Sequence, residues 1–267
     1  MLTKNDRESF VDYICDSDCT QEDYSNKLFL RLVAKKKRFV NVDFKYSIFD
    51  SSYLRNCVFD SCDFTGCRFI SVNFYGSSFS GCKFDYAIFE RTIIDSDILD
   101  VGCPGWENLK LKFARTLRTN FQQIGDTKSV NKAIKIELSA TEVYLRKAWS
   151  SNESYYRKKY KSWKRIQMFF EWITFKILDI IWGNGENTLK LIRTTLVLLF
   201  FMSLIDYFYI SNQTKTYINT LLEMPAVFLG IISPANYPKL YISLIVFTRL
   251  VIMGFFISII IKKFNRR

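Results

Sequence analysis

The sequence predicts a two-part fold. A stack of short β-coils occupies roughly the first hundred residues, and α-helices with two bilayer-length apolar segments follow. Three observations carry this. Between residues 39 and 99 a large apolar residue, mostly Phe, stands at every fifth position. After Pro104 that period stops and helical patterning begins. Around 190–210 and 240–261 lie two apolar stretches, each near the ~20 residues that cross a bilayer core.

The repeat holds exact register through Phe39, Phe44, Phe49, Leu54, Phe59, Phe64, Phe69, Phe74, Phe79, Phe84, Phe89, Ile94 and Leu99. A helix repeats near 3.6 residues and a strand at 2.0, so neither produces a period of five. Two residues before each large residue sits a mostly small one, as at Ser47, Ser52, Cys57, Cys62, Cys67, Ser77, Cys82 and Ala87; Lys37, Val42 and Asp97 are exceptions near the ends. The remaining positions are mostly polar. One large and one small side chain per repeat therefore face inward.

Over about residues 37–101 this pattern resembles the pentapeptide-repeat family. The resemblance implies a right-handed quadrilateral β-helix, with one pentapeptide per side and about three coils here, roughly 15 Å long at the usual strand spacing. Residues twenty apart would stack, with Phe39, Phe59, Phe79 and Leu99 in one ladder and Phe44, Phe64 and Phe84 in another. Such stacking buries a face that no single repeat could bury. Cys57, Cys62, Cys67 and Cys82 read as small packing residues; Cys62 and Cys82 should stack, without further ligands for a metal. Relatives of this repeat that mimic DNA and protect gyrase are long acidic rods, which this short segment is not. Residues 1–36 are expected to hold an N-terminal helix and a cap, and 37–103 the β-helix.

Charge separates the parts. Residues 1–104 carry 13 basic and 16 acidic side chains, residues 105–190 carry 17 and 8, and residues 191–267 carry 8 and 2. The chain has no His, which removes the usual general base and the commonest metal ligand. No P-loop or G-x-G-x-x-G pattern occurs. An enzyme is not expected, and neither a cofactor nor a metal. The start, MLTKNDRESF, lacks the apolar run of a signal peptide. Seven Cys, an odd number without an export signal, read as reduced thiols in a cytosolic setting.

The middle, 104–186, reads as cytosolic helices. One covers about 106–121; Gly125 breaks the pattern, with Asp126 or Thr127 as N-cap of a second helix near 128–150. A third begins near Glu153 and carries YYRKKYKSWKR. That mixture suits nucleic acid or anionic lipid, and the apolar segments that follow favour lipid. Residues 165–182 are amphipathic, with Ile166, Phe169, Phe170, Ile173, Ile177, Ile180 and Ile181 on one side. The helix would lie in the membrane interface or pack on the chain's own spans, and Gly183-Asn184-Gly185 ends it.

Residues 187–267 carry the two apolar segments. Lys190 and Arg193 flank the first span, Lys262, Lys263, Arg266 and Arg267 follow the second, and the linker 211–238 has only Lys215. The positive-inside rule places both termini in the cytoplasm of a bacterial inner membrane. The linker stretch YINTLLEMPAVFLGIIS is too apolar for an ordinary loop. Span, short apolar helix, turn and span resemble the two-transmembrane pore-loop ion channels. Trp182–Glu186 (WGNGE) is similar to a stretch before the first span in bacterial proteins that join pentapeptide repeats to such a module. The resemblance implies a homotetramer, a re-entrant-like pore loop at Phe228, Leu229, Gly230, Ile231 and Ser233, and ions as cargo. In place of a T-V-G-Y-G filter the chain has Phe228-Leu229-Gly230-Ile231-Ile232-Ser233-Pro234, so stacked-carbonyl potassium selectivity does not follow.

Asp206 and Arg249 fall inside the two spans, where ionisable residues are functional candidates. They reach similar depth, so they either pair across the helices or leave Arg249 on a pore wall. Glu223 is a third candidate, at an outer mouth or in a solvated loop. Three function classes stay open: an ion channel with a cytosolic sensing or docking β-helix that takes a protein partner, a membrane-permeabilising effector of a defence or toxin system, and a membrane-anchored scaffold without a pore.

Overall fold

In the computed structural model, which describes residues 7–210 and 216–265, the period of five closes into a four-sided parallel coil of about four turns. The strands run β1 (Ser9–Val11), β2 (Cys19–Thr20), β3 (Leu28–Leu30), β4 (Val33–Lys35), β5 (Arg38–Val40), β6 (Ile48–Asp50), β7 (Tyr53–Arg55), β8 (Val58–Asp60), β9 (Arg68–Ile70), β10 (Ser78–Ser80) and β11 (Ile88–Glu90). One face orders them β1-β3-β6-β9-β11, a second β2-β5-β8-β10, and a third pairs β4 with β7. The fourth is a row of single bridges joining Asp23, Asp43, Asp63 and Lys83. Partners in the regular part lie twenty residues apart, as Phe39 with Phe59 and Phe59 with Phe79.

The ladders form as the period requires. Phe39, Phe59 and Phe79 stack, as do Phe44, Phe64 and Phe84, and Phe29, Phe49, Phe69 and Phe89, with ring centroids 4.8–5.3 Å apart. That separation is close to the distance between paired strands, so rings on successive coils meet face to face without shifting the backbone. Leu99 closes its ladder, buried in a short helix, α1 (Ile98–Val101), rather than in a strand.

Each corner follows one rule. Every fifth residue from Gln21 to Arg91 has a positive φ, non-glycine residues such as Lys36 and Tyr46 included. The left-handed conformation costs an L-residue about 1–2 kcal/mol. The corner amide is the compensation. Tyr46 N donates to Thr65 O at 2.8 Å and Ser51 N to Ile70 O at 2.9 Å, each reaching the next coil.

Two expectations are corrected. Among residues 7–36 there is no helix; β1 to β4 start the solenoid there, so the stack is longer than three coils. Phe10 pairs with Phe29, a spacing of nineteen rather than twenty. This missing residue breaks the register, and Ala34 stands where a large side chain is expected; together they hide the first turns from a search for period five. The helix near Glu153 is also interrupted, into α4 (Ser154–Lys159) and α5 (Trp163–Trp182), with Ser162 at positive φ between them.

The last coil is closed by a helical hairpin, α2 (Glu107–Gln123) and α3 (Thr127–Ser150), the latter capped by Asp126 accepting from Ser129 N. Phe113 of α2 packs on Phe84 and Phe89. Three α2 side chains replace the next strand. Phe89 N donates to Thr116 Oγ1 at 3.3 Å and Arg91 N to Gln123 Oε1 at 2.9 Å, while Asn120 accepts from Thr92 N at 2.7 Å and donates to Thr92 O at 2.8 Å. An open parallel edge is a template for unwanted pairing; here it is satisfied by side chains a helical turn apart.

Residues 7–168 form one compact unit and 169–265 a second, the boundary falling within α5. The second unit continues as α6 (Thr188–Ile205), a π-helical turn (Asp206–Ile210), α7 (Tyr217–Leu229) and α8 (Lys239–Phe264). Thr188–Ile210 and Lys239–Phe264 are each long and apolar enough to cross a bilayer, with mean hydropathies of 1.8 and 2.6. Only 17% and 11% of their most apolar windows are buried, unlike the core helix of a soluble domain. Lys215, Arg266 and Arg267, part of the charge asymmetry, lie outside the described residues.

Candidate functional site between the apolar helices

The WGNGE stretch makes the turn from α5 into α6. Gly183, Asn184 and Gly185 all have positive φ, which terminates α5, and Asn187 caps α6 by accepting from Leu189 N and Lys190 N. The Trp182 ring stacks on Phe255 of α8 at 4.3 Å, and Lys262 Nζ lies 5.4 Å from the Trp182 ring centre. A Cβ at Gly185 would meet that ammonium, and its φ of 85° favours glycine at the turn. Lys190 pairs with Asp179 at 2.8 Å, and Arg193 donates to Ile180 O at 2.8 Å. These contacts fix one end of the three-helix arrangement.

α7 folds back against the two long helices. Met202 of α6, Met224, Val227 and Phe228 of α7, and Tyr241 and Ile245 of α8 form the unit's core cluster. Tyr241 donates to Met202 O at 2.9 Å, and the Ser203 and Tyr217 hydroxyls are 3.3 Å apart. α7 ends at Gly230 in the left-handed conformation, φ 81°, followed by the loop 231–238.

The structure distributes the sequence-predicted residues unevenly. Asp206 is 5% exposed at the start of the π-turn, where its Oδ2 accepts from Tyr237 at 2.6 Å. Arg249 is half-buried on α8, with its guanidinium against Gly230; a Cβ there would lie 2.2 Å from Nη1. The two charges do not form an ion pair: Asp206 is engaged by Tyr237, and among the described residues Arg249 has no ion-pair or hydrogen-bond partner. Glu223 is half-buried on α7, Phe228 is core, and Leu229, Ile231 and Ser233 are exposed. Gly230, Ser233 and Arg249 line one cavity of about 140 Å³ with Tyr237 and Ile245. An apolar recess of about 240 Å³ lies on another side of Arg249, between Leu191 and Leu196 of α6 and Met253 and Phe256 of α8.

Sequence reasoning missed Tyr237 and Tyr241. The signal was present, because two tyrosines four residues apart beside Pro238 and a lone carboxylate in an apolar segment ask for each other as partners. No group of three or more His, Cys, Asp or Glu suited to a metal occurs among the described residues.

Comparison with known families matches residues 44–99 to pentapeptide repeats (9 copies). The chain is similar to QnrB1, a plasmid-mediated fluoroquinolone resistance protein, at 17% identity over 32% of this chain and 62% of that one, TM-score 0.19. A second QnrB1 structure is 23% identical over 33% and 54%, TM-score 0.15. A pentapeptide repeat protein from the thylakoid lumen of Arabidopsis thaliana is 14% identical over 38% and 76%, TM-score 0.17. The chain thus spans less than two thirds of either QnrB1 structure. The curated proteins contain no match.

Proposed function

We propose that the chain presents a pentapeptide-repeat solenoid at a bacterial inner membrane, and that several copies of its two-helix module assemble around an ion pathway. The observation that carries this is the charge held between two helices otherwise fit for lipid. Asp206 takes the Tyr237 hydroxyl at one end of the module, whereas Arg249 lies further along α8, against Gly230 and beside Leu191 and Leu196 of α6, so the similar depth expected from spacing is not what supports the reading. Two separately held charges in apolar helices do, because polar groups in spans commonly mark ion routes. Two spans cannot enclose a pore alone, so a homotetramer is the expected assembly. Lys190 and Arg193 in the first turns of α6, with Lys262 and Lys263 at the end of α8, support a cytoplasmic position for both ends and the solenoid.

α5 supports a membrane setting. None of its residues is buried, and Trp163, Ile166, Phe170, Ile177 and Ile180 are exposed along it. Such a stripe beside Lys161, Lys164 and Arg165 suits the boundary of an anionic leaflet. The solenoid is then the part that senses or docks a cytosolic protein.

The deciding measurement is conductance of the purified full chain in a planar bilayer under a KCl gradient. Discrete steps with a non-zero reversal potential are expected. Large unselective steps would replace this reading with a membrane-permeabilising effector. A silent, monomeric protein would replace it with a membrane-anchored scaffold.

A further inference from the structure

We infer that Arg249 and Ser233, at the end of α7, form a binding site for a small inorganic anion of the chloride class. The inference deepens the ion-pathway reading and rests on it for the site's role, though not for its existence.

The argument begins with an uncompensated charge. Arg249 has no ion-pair or hydrogen-bond partner among the described residues. α8 contains no Asp or Glu, and the carboxylate within Thr188–Ile210, Asp206, takes the Tyr237 hydroxyl. Glu223 lies seven residues before Gly230 on α7, ~10 Å away along the helix axis. A guanidinium taken partly out of water without a counter-charge is costly. The carbonyl end of α7 supplies part of the compensation. The C-terminus of a helix carries about half a negative charge, and Gly230 lets the guanidinium come against it, since a Cβ there would push Nη1 away. About half a positive charge remains.

The cavity beside it is where that surplus points. Its volume is about 140 Å³, and it is lined by Gly230, Ser233, Pro234, Tyr237, Ile245 and Arg249 among others. Tyr237 turns its hydroxyl to Asp206, so Arg249 and Ser233 are the polar side chains left to face an occupant. The space is several times a water's share of about 30 Å³ and well below the ~300 Å³ or more of an organic-ligand pocket. A small anion with some of its hydration fits the size, the sign and the donors. A cation meets the guanidinium at close range and is repelled.

The test uses the full chain in detergent, with chloride as the probe and ³⁵Cl NMR line-broadening as the readout, followed by reversal potentials in bilayers. Saturable broadening is expected, weakened about tenfold or more in Arg249→Gln and about fivefold in Ser233→Ala, the sizes of a charged and a neutral hydrogen bond. Ser233 is exposed on a loop, so its variant keeps the test decisive if Arg249→Gln fails to fold. Broadening that is absent, or equal in the wild type and Ser233→Ala, overturns the site. Saturable binding that these variants weaken, in a protein that never conducts, keeps the site and removes the ion-pathway reading. Cation-selective conductance without chloride binding does the reverse.

Discussion

At the residue scale the solenoid uses those inward small positions that carry Ser, Cys or Thr as hydrogen-bond donors as well as spacers. Ser47 Oγ donates to Tyr24 O at 2.7 Å, Cys67 Sγ to Phe44 O at 2.8 Å, Ser77 Oγ to Leu54 O at 2.6 Å and Thr92 Oγ1 to Phe69 O at 3.2 Å. Each bond spans twenty-three residues, so it ties one coil to the one before it. This explains why Ser, Cys and Thr share a position where Ala would also fit. Burial pushes the Cys67 thiol well above its ordinary value, which keeps it protonated and donating. Cys67→Ser should therefore change stability by less than about 1 kcal/mol, whereas Cys67→Leu should cost about 2 kcal/mol by overpacking. Thermal melts of the two variants read the difference. An equal loss in both would mean that the sulfur has a role of its own.

At the element scale the end of the repeat decides whether the coil is stable. Asn120 is fully buried and makes both hydrogen bonds that another strand would have made to Thr92. Asn120→Ala leaves a buried N–H and C=O unmet, and should cost about 3 kcal/mol. Asn120→Asp, which keeps the acceptor and loses the donor, should lie between the two in a denaturant titration of the solenoid signal. The α5–α6 turn makes a second prediction. Gly185→Ala adds a Cβ at φ +85° and should cost about 1–2 kcal/mol, seen as a lower unfolding temperature in detergent, because it forces Lys262 from Trp182. Asn184, also at positive φ, is the internal control: Asn184→Gly should be neutral or stabilising.

At the scale of the whole molecule, the chain joins a segment that folds by stacking on itself to one built on two long apolar helices that keep most of their surface outward. The two obey different rules. In the solenoid each coil is stabilised by its neighbours, so stability grows with the number of coils and depends on capped ends. In the apolar module the long helices keep most of their surface outward, and what organises them is a few polar contacts, Tyr237 on Asp206 and Tyr241 on Met202 O. Tyr237→Phe should thus disturb the module out of proportion to the single atom removed, because it strips a buried carboxylate of a donor. Ion selectivity, or the loss of oligomer on native gels, is where the effect should appear, with the solenoid's thermal transition unchanged.

The sequence by itself determined the repeat, its ladders and the two apolar helices. A period of five and a run of apolar residues are statements about every coil or turn in order, and burial answers them directly. It could not show the first turns, where the one-residue deletion before Phe29 moves the strand without altering composition. It could not show that α2 side chains close the last coil, since Thr116, Asn120 and Gln123 look like any polar helix surface until β11 is beside them. It also left Asp206 and Arg249 undecided between a pair and two separate sites. Only the tertiary structure settled that, because α7 folds back between the long helices and brings Tyr237 to the acid and Gly230 to the base. Which charge meets which partner depends on the packing of three helices, and no spacing along one chain encodes it.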